Sequence, residues 1–200
     1  MALLARALTF PTQELLRIAD DCIVYMAQTS SLSVTFDGAA PEADVLTAEC
    51  DSDWAVGHST TGFVLFLAGA AILYSSKRQP CVALSSTEAE IIAASACATE
   101  IIYVRTLLAE MGLMQESPTP LGVDNAGAVE LARDRKSCNR SRHVDRRFFK
   151  VRELQASSVV QVHKIPTALN RSDVLTKALP TADFLRHRAS LMDVPAESPM

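Results

Sequence analysis

Four acidic residues, Asp51, Glu90, Asp124 and Asp173, are of a type and spacing that could gather around a cation. Each falls where an extended stretch ends or a helical stretch begins, the places from which an α/β fold directs side chains into a cleft. No His or Cys cluster accompanies them. Oxygen-only ligands suit Mg2+, with Mn2+ as a substitute, rather than zinc. Four carboxylates are what two ions about 3.5–4 Å apart need in order to align a water and stabilise a departing phosphate oxygen. Each acid also has a plainer reading. Asp51 and Asp53, on either side of Ser52 in one strand, are alternatives for a single place in the cleft, the other being a surface residue. Glu88 and Glu90 compete for a single role, since Ser85-x-x-Glu88 and Thr87-x-x-Glu90 both fit a capping box. If Ser85 caps, Glu88 is consumed at the helix start and Glu90 is left free. Asp124 could serve only as a helix cap, and Asp173 only as a first-turn acid that complements the helix dipole.

The elements that must position these acids follow from periodicity. Residues 13–28 place Leu15, Ile18, Ala19, Cys22 and Met26 at helical spacing, and an extended stretch follows over 32–36. Residues 37–44, with Gly38 and Pro41, read as a linker. Strand signals then run over 45–55, 62–67 and 70–75, the last two joined by a tight turn at Ala68-Gly69. A long helix is expected over 86–111, with an inward stripe of Ile91, Ala94, Cys97, Ile101, Val104, Leu108 and Met111 ended by Gly112. A short strand over 121–123 stops at Asp124 and turns into a helix to Arg133; a helix over 144–156, a buried strand over 159–165, and helices over 170–179 and 181–192 complete the chain. Three antiparallel strands followed by alternating helices and two parallel strands give an α/β architecture, a five-stranded mixed sheet flanked by helices. The expected division is 1–44 as a connecting segment, 45–192 as the domain, and 193–200 as a frayed tail.

Two hundred residues, 48% of them hydrophobic, suffice for a sizeable core without staples. Five scattered cysteines (Cys22, Cys50, Cys81, Cys97, Cys138), odd in number and never in a C-x-x-C pair, argue against a zinc site or disulfide framework and for a reducing compartment. No unbroken apolar run reaches the roughly 18 residues of a membrane helix, so no membrane is expected. The start, Met1 to Arg17, holds no acid before Glu14, as transit peptides do. Phe10-Pro11-Thr12 leading into a helical pattern reads instead as the interior of a folded protein. The net charge of −4 is unevenly spread: residues 133–152 carry nine Lys or Arg against two acids, a local charge of +7. Such a stripe on an acidic chain is the form that a phosphate-binding face takes, and it is also the form of a solvated helix face.

Several strings, in order, carry a resemblance. Cys50-Asp51-Ser52-Asp53-Trp54-Ala55, Ser59-Thr60-Thr61-Gly62-Phe63-Val64, Ser75-Ser76-Lys77-Arg78-Gln79-Pro80 and Val82-Ala83-Leu84-Ser85-Ser86-Thr87-Glu88-Ala89-Glu90 come first. Val123-Asp124-Asn125, Arg142-His143-Val144-Asp145 and Ser172-Asp173-Val174-Leu175-Thr176-Lys177 follow. This set resembles the ribonuclease H domain of copia-type (LTR) retrotransposon Pol polyproteins over about Ala48 to Met192, and residues 1–36 look like the stretch that follows the polymerase there. The resemblance implies a ribonuclease H fold, a metal set of Asp51, Glu90, Asp124 and Asp173 holding two Mg2+ ions, and Glu90 rather than Glu88 as the ligand. It implies endonucleolytic hydrolysis of the RNA strand of an RNA–DNA hybrid during reverse transcription, leaving a 5′-phosphate and a 3′-hydroxyl. The neighbouring 2′-hydroxyl would mark RNA from DNA.

Hybrid backbone would lie on Arg140, Arg142, His143, Arg146, Arg147 and Lys150, with Ser86 and Asn125 beside the acids. The implied partners are the hybrid and the reverse transcriptase domain of the same polyprotein, in a cytoplasmic virus-like particle or the nucleus, not secreted. His143 takes either a structural or substrate-side role or a direct catalytic one; the loop before the last aspartate, Thr167-Ala168-Leu169, offers no histidine. His163 is expected to be packed in its strand and His187 to be exposed. The chain departs from the family's pattern in a shortened loop, Val56-Gly57-His58, and in Ala178 where the family has Pro. Those departures leave a second functional class open: a catalytically decayed or domesticated module that binds nucleic acid or tethers a polymerase without turnover.

Overall fold

A computed structural model describes residues 4, 9–55, 57–133 and 142–193. Its centre is β1 (Thr47–Asp53), which pairs antiparallel with β2 (Thr60–Leu67) and parallel with β4 (Thr119–Val123). β3 (Ala70–Arg78) extends the sheet beyond β2 and β5 (Val160–Lys164) extends it beyond β4, giving the order β3-β2-β1-β4-β5. Three strands are antiparallel and the rest join in parallel, as the run of strand and helix signals predicts. β3 continues to Arg78, past the expected end at Ser75, because Thr60 and Thr61 of β2 supply partners for Arg78 and Lys77. The hairpin closes through Ala68 and Gly69, both at positive φ (50° and 76°), the twist that matches a two-residue turn to its strands. Residues 37–44 are not a free linker: Ala68 N–H donates to Ala43 O at 2.8 Å and Asp37 N–H to Ala68 O at 2.9 Å.

Period-two alternation splits β1 between two layers. Cys50 and Ala48 face a core that Phe63 and Leu65 share with α2 (Ser86–Glu110), whose Ala93, Ala94, Cys97 and Ala98 are small enough to let the helix lie close to the sheet. α2 is long and apolar enough by composition to cross a membrane, but acids interrupt it and it is the largely buried core helix. α3 (Ala126–Arg133) and α4 (Arg142–Ala156) pack beside it. α1 (Gln13–Gln28) buries none of its residues. It touches the body through the edge-on pair of Tyr25 with Phe184, rings 6.0 Å apart, and through Arg188 donating to the Tyr25 hydroxyl. The stretch after it forms no strand, only a bridge of Ser33 with Asp193, a residue expected in the frayed tail. Residues 194–200 lie outside the described residues.

The other face of β1, carrying Glu49 and Asp51, is covered by a segment expected to be one helix over 170–179. It is instead two 3-10 turns, Thr167–Leu169 and Arg171–Leu175, before α5 (Thr181–Leu191). Asn170 causes the difference. Its Oδ1 accepts from the Ser172 N–H at 3.2 Å and the Ser172 hydroxyl at 2.6 Å, local bonds that compete with a continuing α-helix. His187 of α5, expected to be exposed, is 3% exposed, because α5 packs against these turns.

The close approach of the second turn to the sheet depends on Gly62, which lies opposite Asp51 in the ladder. A Cβ there would meet Thr176 Cγ2 at 2.6 Å and Leu175 Cβ at 2.9 Å. Gly62→Ala therefore pushes the turn off the sheet, with an expected loss of about 1–3 kcal/mol. Thermal denaturation should show this as a Tm lower by about 2–4 °C per kcal/mol lost; an unchanged Tm would mean the turn yields freely.

Candidate active site

The C-terminal ends of the parallel pair β1 and β4 bring the first acids together. Asp51, near the end of β1, is 2% exposed, and Asp124 directly follows β4. Glu90 reaches them from the first turns of α2 and is 5% exposed. One carboxylate oxygen from each of Asp51, Glu90 and Asp124 lies within 4.8 Å of the others. Glu90 is held by the β1 backbone: the Ser52 N–H donates to its Oε1 at 3.2 Å, and its Oε2 is buried with no hydrogen-bond partner.

The helix start shows why Glu90, not Glu88, is available. Ser85 Oγ accepts from the Glu88 N–H at 3.1 Å while Glu88 Oε2 accepts from the Leu84 N–H at 2.8 Å. That reciprocal cap consumes Glu88 in the way the sequence allows for. Asp124 does not cap α3. The cap is Asn125, whose Oδ1 accepts from the Ala128 N–H at 3.0 Å, and the Asp124 carboxylate is free to face Asp51 and Glu90. Asp53, the alternative on β1, is half-buried and outside the group.

Asp173 stands beside the three rather than among them. Lys177, four residues on in the sequence, places its ammonium 3.1 Å from Asp173 Oδ2 and 3.6 Å from Asp51 Oδ2, while Asp173 Oδ1 is buried and unpartnered. The Thr176 hydroxyl donates to Asp51 Oδ2 in a short hydrogen bond. Asn170 ties the whole turn to β1, its Nδ2 donating to the Cys50 carbonyl at 3.0 Å. Arg171 does so again, through a guanidinium bond to Glu49 Oε1 at 2.6 Å and its own N–H to Oε2 at 2.7 Å. Asn170, Thr176 and Lys177 were not singled out from the sequence for any role at the site. Thr176 and Lys177 stand in one of the matching motifs, and the Asn-x-Ser pattern of 170–172 is a cap signal.

Among the proposed substrate contacts, Ser86 is exposed at the first position of α2, and Asn125 spends its oxygen on the α3 cap. From α4, Arg147 reaches Cys81 in the loop before α2, and Lys150 reaches Thr99 of α2. Arg140 lies outside the described residues, as do the side chains of Arg142, His143 and Arg146. His163 is half-buried.

Burial and mutual repulsion govern the protons. Burial, then the Asp51 and Asp124 charges, push Glu90 up to about 9. Burial and Asp51 raise Asp173 to about 6 against the opposing pull of Lys177, and the same two causes raise Asp124. Burial works to lower Lys177, but Asp51 and Asp173 outweigh it and hold the ammonium charged. Carboxylates forced together, with two buried oxygens lacking partners, are a donor set that fits a hard divalent cation.

No protein-family model matches the chain. It is 35% identical over 164 residues to a retrovirus-related Pol polyprotein from transposon TNT 1-94 of Nicotiana tabacum, a match covering 80% of this chain and 12% of that one. It is 29% identical over 185 residues to the Pol polyprotein from transposon RE1 of Arabidopsis thaliana, covering 90% of this chain and again 12% of the relative. The chain thus spans about an eighth of the length of these relatives. Among solved structures, LC11-RNase H1, isolated from compost by a metagenomic approach, superimposes with a TM-score of 0.53 at 15% identity, covering 66% of this chain and 93% of that one. The same enzyme in complex with an RNA/DNA hybrid gives 0.51 at 14% identity. At such identity the likeness establishes the fold.

The raised carboxylates make stability depend on pH. Their folded pKa values exceed the unfolded ones, so the stability they contribute is full below the unfolded value, 4.5 for a glutamate. It declines as pH rises through the folded values, up to about 9 for Glu90. The Tm of the metal-free chain should therefore fall from pH 5 to pH 9. Mg2+ or Mn2+ should flatten that fall by replacing protons. Asp124→Asn, by removing one repelling charge, should raise the metal-free Tm at pH 8 and shrink the gain from Mg2+. A metal-free profile that is flat or rises over this range would contradict the enforced proximity.

Proposed function

Since the chain is a homologue of the Pol polyproteins of copia-type transposons and has the ribonuclease H fold, we propose that it hydrolyses the RNA strand of RNA–DNA hybrids during reverse transcription. The observation that carries this reading is the convergence of Asp51, Glu90 and Asp124 within 4.8 Å at the C-terminal ends of two parallel strands. A fold neighbour in complex with an RNA/DNA hybrid supports the substrate class.

Asp51, Glu90, Asp124 and, beside them, Asp173 are the residues that would hold two Mg2+ ions. Such ions supply Lewis-acid stabilisation of phosphate charge and lower the pKa of an attacking water. The protein's own residues do the rest. The Ser52 N–H fixes the direction of Glu90, and Thr176 and Lys177 fix that of Asp51. The cap at Ser85 removes Glu88 from competition. In the proposed reaction a water oxygen bonds to phosphorus, the bond to the 3′ oxygen breaks, and the strand ends in a 5′-phosphate and a 3′-hydroxyl. Arg147 and Lys150 position backbone without reading sequence.

Residues 1–44 are proposed as the connection to a reverse transcriptase domain: α1 leaves Leu16, Ile23, Val24 and Met26 each more than half exposed. The proposed setting is a cytoplasmic virus-like particle or the nucleus.

The test is incubation of the full chain with a labelled hybrid in Mg2+ and in EDTA, beside duplex RNA and duplex DNA. Metal-dependent loss of the RNA strand in the hybrid alone is expected. Asp124→Asn should lose roughly 10³-fold or more of that activity while keeping its fold. A folded chain that binds hybrid but never cuts it, with Mg2+ or Mn2+, would replace this reading with a binding module. Thr176→Val, which touches Asp51 only through a hydroxyl, should weaken metal affinity about 10–100-fold by calorimetry.

A further inference from the structure

β3 and β5 are the two outer strands of the sheet, and their edges are finished differently. At β5 side chains close the edge: the Val162 N–H donates to Gln155 Oε1 at 3.2 Å, and Arg133 Nη2 donates to the Val162 carbonyl at 3.4 Å. Among the described residues, no side chain closes the edge of β3 in this way. The Gln79 N–H donates inward to the Ser59 carbonyl at 2.7 Å, which sets the alternation of the antiparallel ladder before it. Lys77 and Ser75 therefore direct their backbone groups to β2, while Arg78, Ser76 and Tyr74 direct theirs outward. A bulge leaves Ile72 without a partner on β2, and from Leu73 to Arg78 the strand is regular. An open row of backbone N–H and C=O groups is a template for another strand.

Charge commonly blunts such an edge. β3 carries its charges, Lys77 and Arg78, only at its C-terminal end, and the stretch from Ala70 to Ser76 has none. Tyr74, at the middle of the strand, is 72% exposed. The opposite end of β3 is the hairpin tip, where Ala68 is bonded to Asp37 and Ala43. That neighbouring segment, residues 37–44, presents Asp37, Glu42 and Asp44 to solvent and contains no Lys or Arg. The strand thus has cations at one end and acids beside the other. Two such strands complement each other when they run antiparallel, and oppose like charges when they run parallel.

We propose that β3 pairs antiparallel with β3 of a second copy of this chain, about a two-fold axis near Tyr74, so that the two five-stranded sheets become one. The Tyr74 rings of the two copies then stand side by side as a cross-strand aromatic pair. Lys77 and Arg78 of each copy come beside the acidic segment of the other. Residues 32–36, an extended stretch by sequence, do not compete for the edge, because Ser33 is bridged to Asp193. The clustered acids lie at the ends of β1 and β4, with β2 between them and the edge, so each copy keeps an open cleft. Because the partner's sheet is inverted, the two clefts open at opposite ends of the joined sheet. Neither the edge nor the acidic segment belongs to the carboxylate group, so the pairing does not depend on the hydrolase reading.

The experiment is sedimentation velocity of the full chain over a wide range of concentrations, with amide hydrogen exchange measured at both ends of the range. A strand pair is a small interface, so monomer is expected at low concentration and dimer at high. The Tyr74 and Ser76 amides should gain protection where the dimer forms. Tyr74→Pro removes an outward N–H and no bond to β2, so it should keep its folded circular dichroism spectrum and stay monomeric. Tyr74→Phe should dimerise like wild type. Lys77→Glu/Arg78→Glu, which leaves the strand backbone alone, should weaken dimerisation about tenfold or more, each change counting twice across the two-fold axis. Adding Glu42→Lys/Asp44→Lys to that variant should restore it. The charge variants decide the matter if the proline variant does not fold. A chain that is monomeric at every concentration would overturn the pairing. So would a dimer whose protection falls on α1 or the end of α2, or one that charge reversal leaves intact. Protection of Tyr74 and Ser76 in a monomer would assign the edge to residues 32–36 and overturn it as well.

Discussion

Like charges do not gather unaided, and most of this structure consists of what holds Asp51 against Glu90, Asp124 and Asp173. Inside a protein the repulsion between carboxylates a few ångströms apart is far stronger than in water, and burial adds a cost of its own by stripping hydration from each charge. Glu90 records the result, its pKa driven up to about 9 by burial and by Asp51 and Asp124. An arrangement of this kind persists only where independent elements over-determine it. β1 supplies Asp51 from the middle of a five-stranded sheet, where it cannot shift without unpairing neighbours on both sides. β4 locks Asp124 in register beside it, and α2 delivers Glu90 from a helix seated on the core by a stripe of alanines and cysteine.

The fourth acid is fastened differently. It rides on a 3-10 turn rather than a long element, so the turn itself is tied down at several points. Asn170 bonds to the Cys50 carbonyl, Arg171 clamps Glu49 bidentately and lies 3.5 Å over the Phe66 ring, and Thr176 reaches Asp51. Gly62 is the complement of this turn: the missing side chain is the space the turn occupies. The motif containing Gly62 and the motif containing Asp173, more than a hundred residues apart, are two halves of one contact.

Much of this was legible in the sequence, for reasons specific to each residue. Position near the junctions of extended and helical stretches marked the four acids only as candidates, each with a plainer reading, and the resemblance joined them into one set. The rivalry of Glu88 and Glu90 stayed open in the local pattern, because two capping boxes overlap there; the resemblance favoured Glu90, and the box that formed is the one at Ser85. Asp124 was harder: its neighbour Asn125 caps as well as it would, and only three-dimensional placement shows which of the two does so. The Asn170 segment was misread as a helix because a helix and successive 3-10 turns share almost the same spacing over five residues. What separates them is the bond of Asn170 to Ser172, which the local Asn-x-Ser pattern allows, together with its bond to the Cys50 carbonyl of β1, which no local pattern shows. His187 was misplaced because an amphipathic helix says which residues share a face, but not which neighbour that face meets.

Lys177 shows how the turn contributes beyond geometry. Its ammonium lies between Asp51 and Asp173, offsetting part of a repulsion that the folded chain would otherwise bear alone. The partial offset matters because Lys177 does not approach Glu90 or Asp124 closely enough to form an ion pair with either. The three-carboxylate group therefore keeps much of its repulsion and one buried oxygen, Glu90 Oε2, with no hydrogen-bond partner among the described residues. A scaffold that neutralised every acid internally would be more stable and would have little use for a cation. This one stops short: Lys177 offsets Asp173 and part of the Asp51 charge, and among the described residues no cation pairs with Glu90 on the core helix. The uncompensated charge sits where three independently anchored elements fix the ligand positions most firmly, which is where a site that must bind the same way on each turnover needs its rigidity.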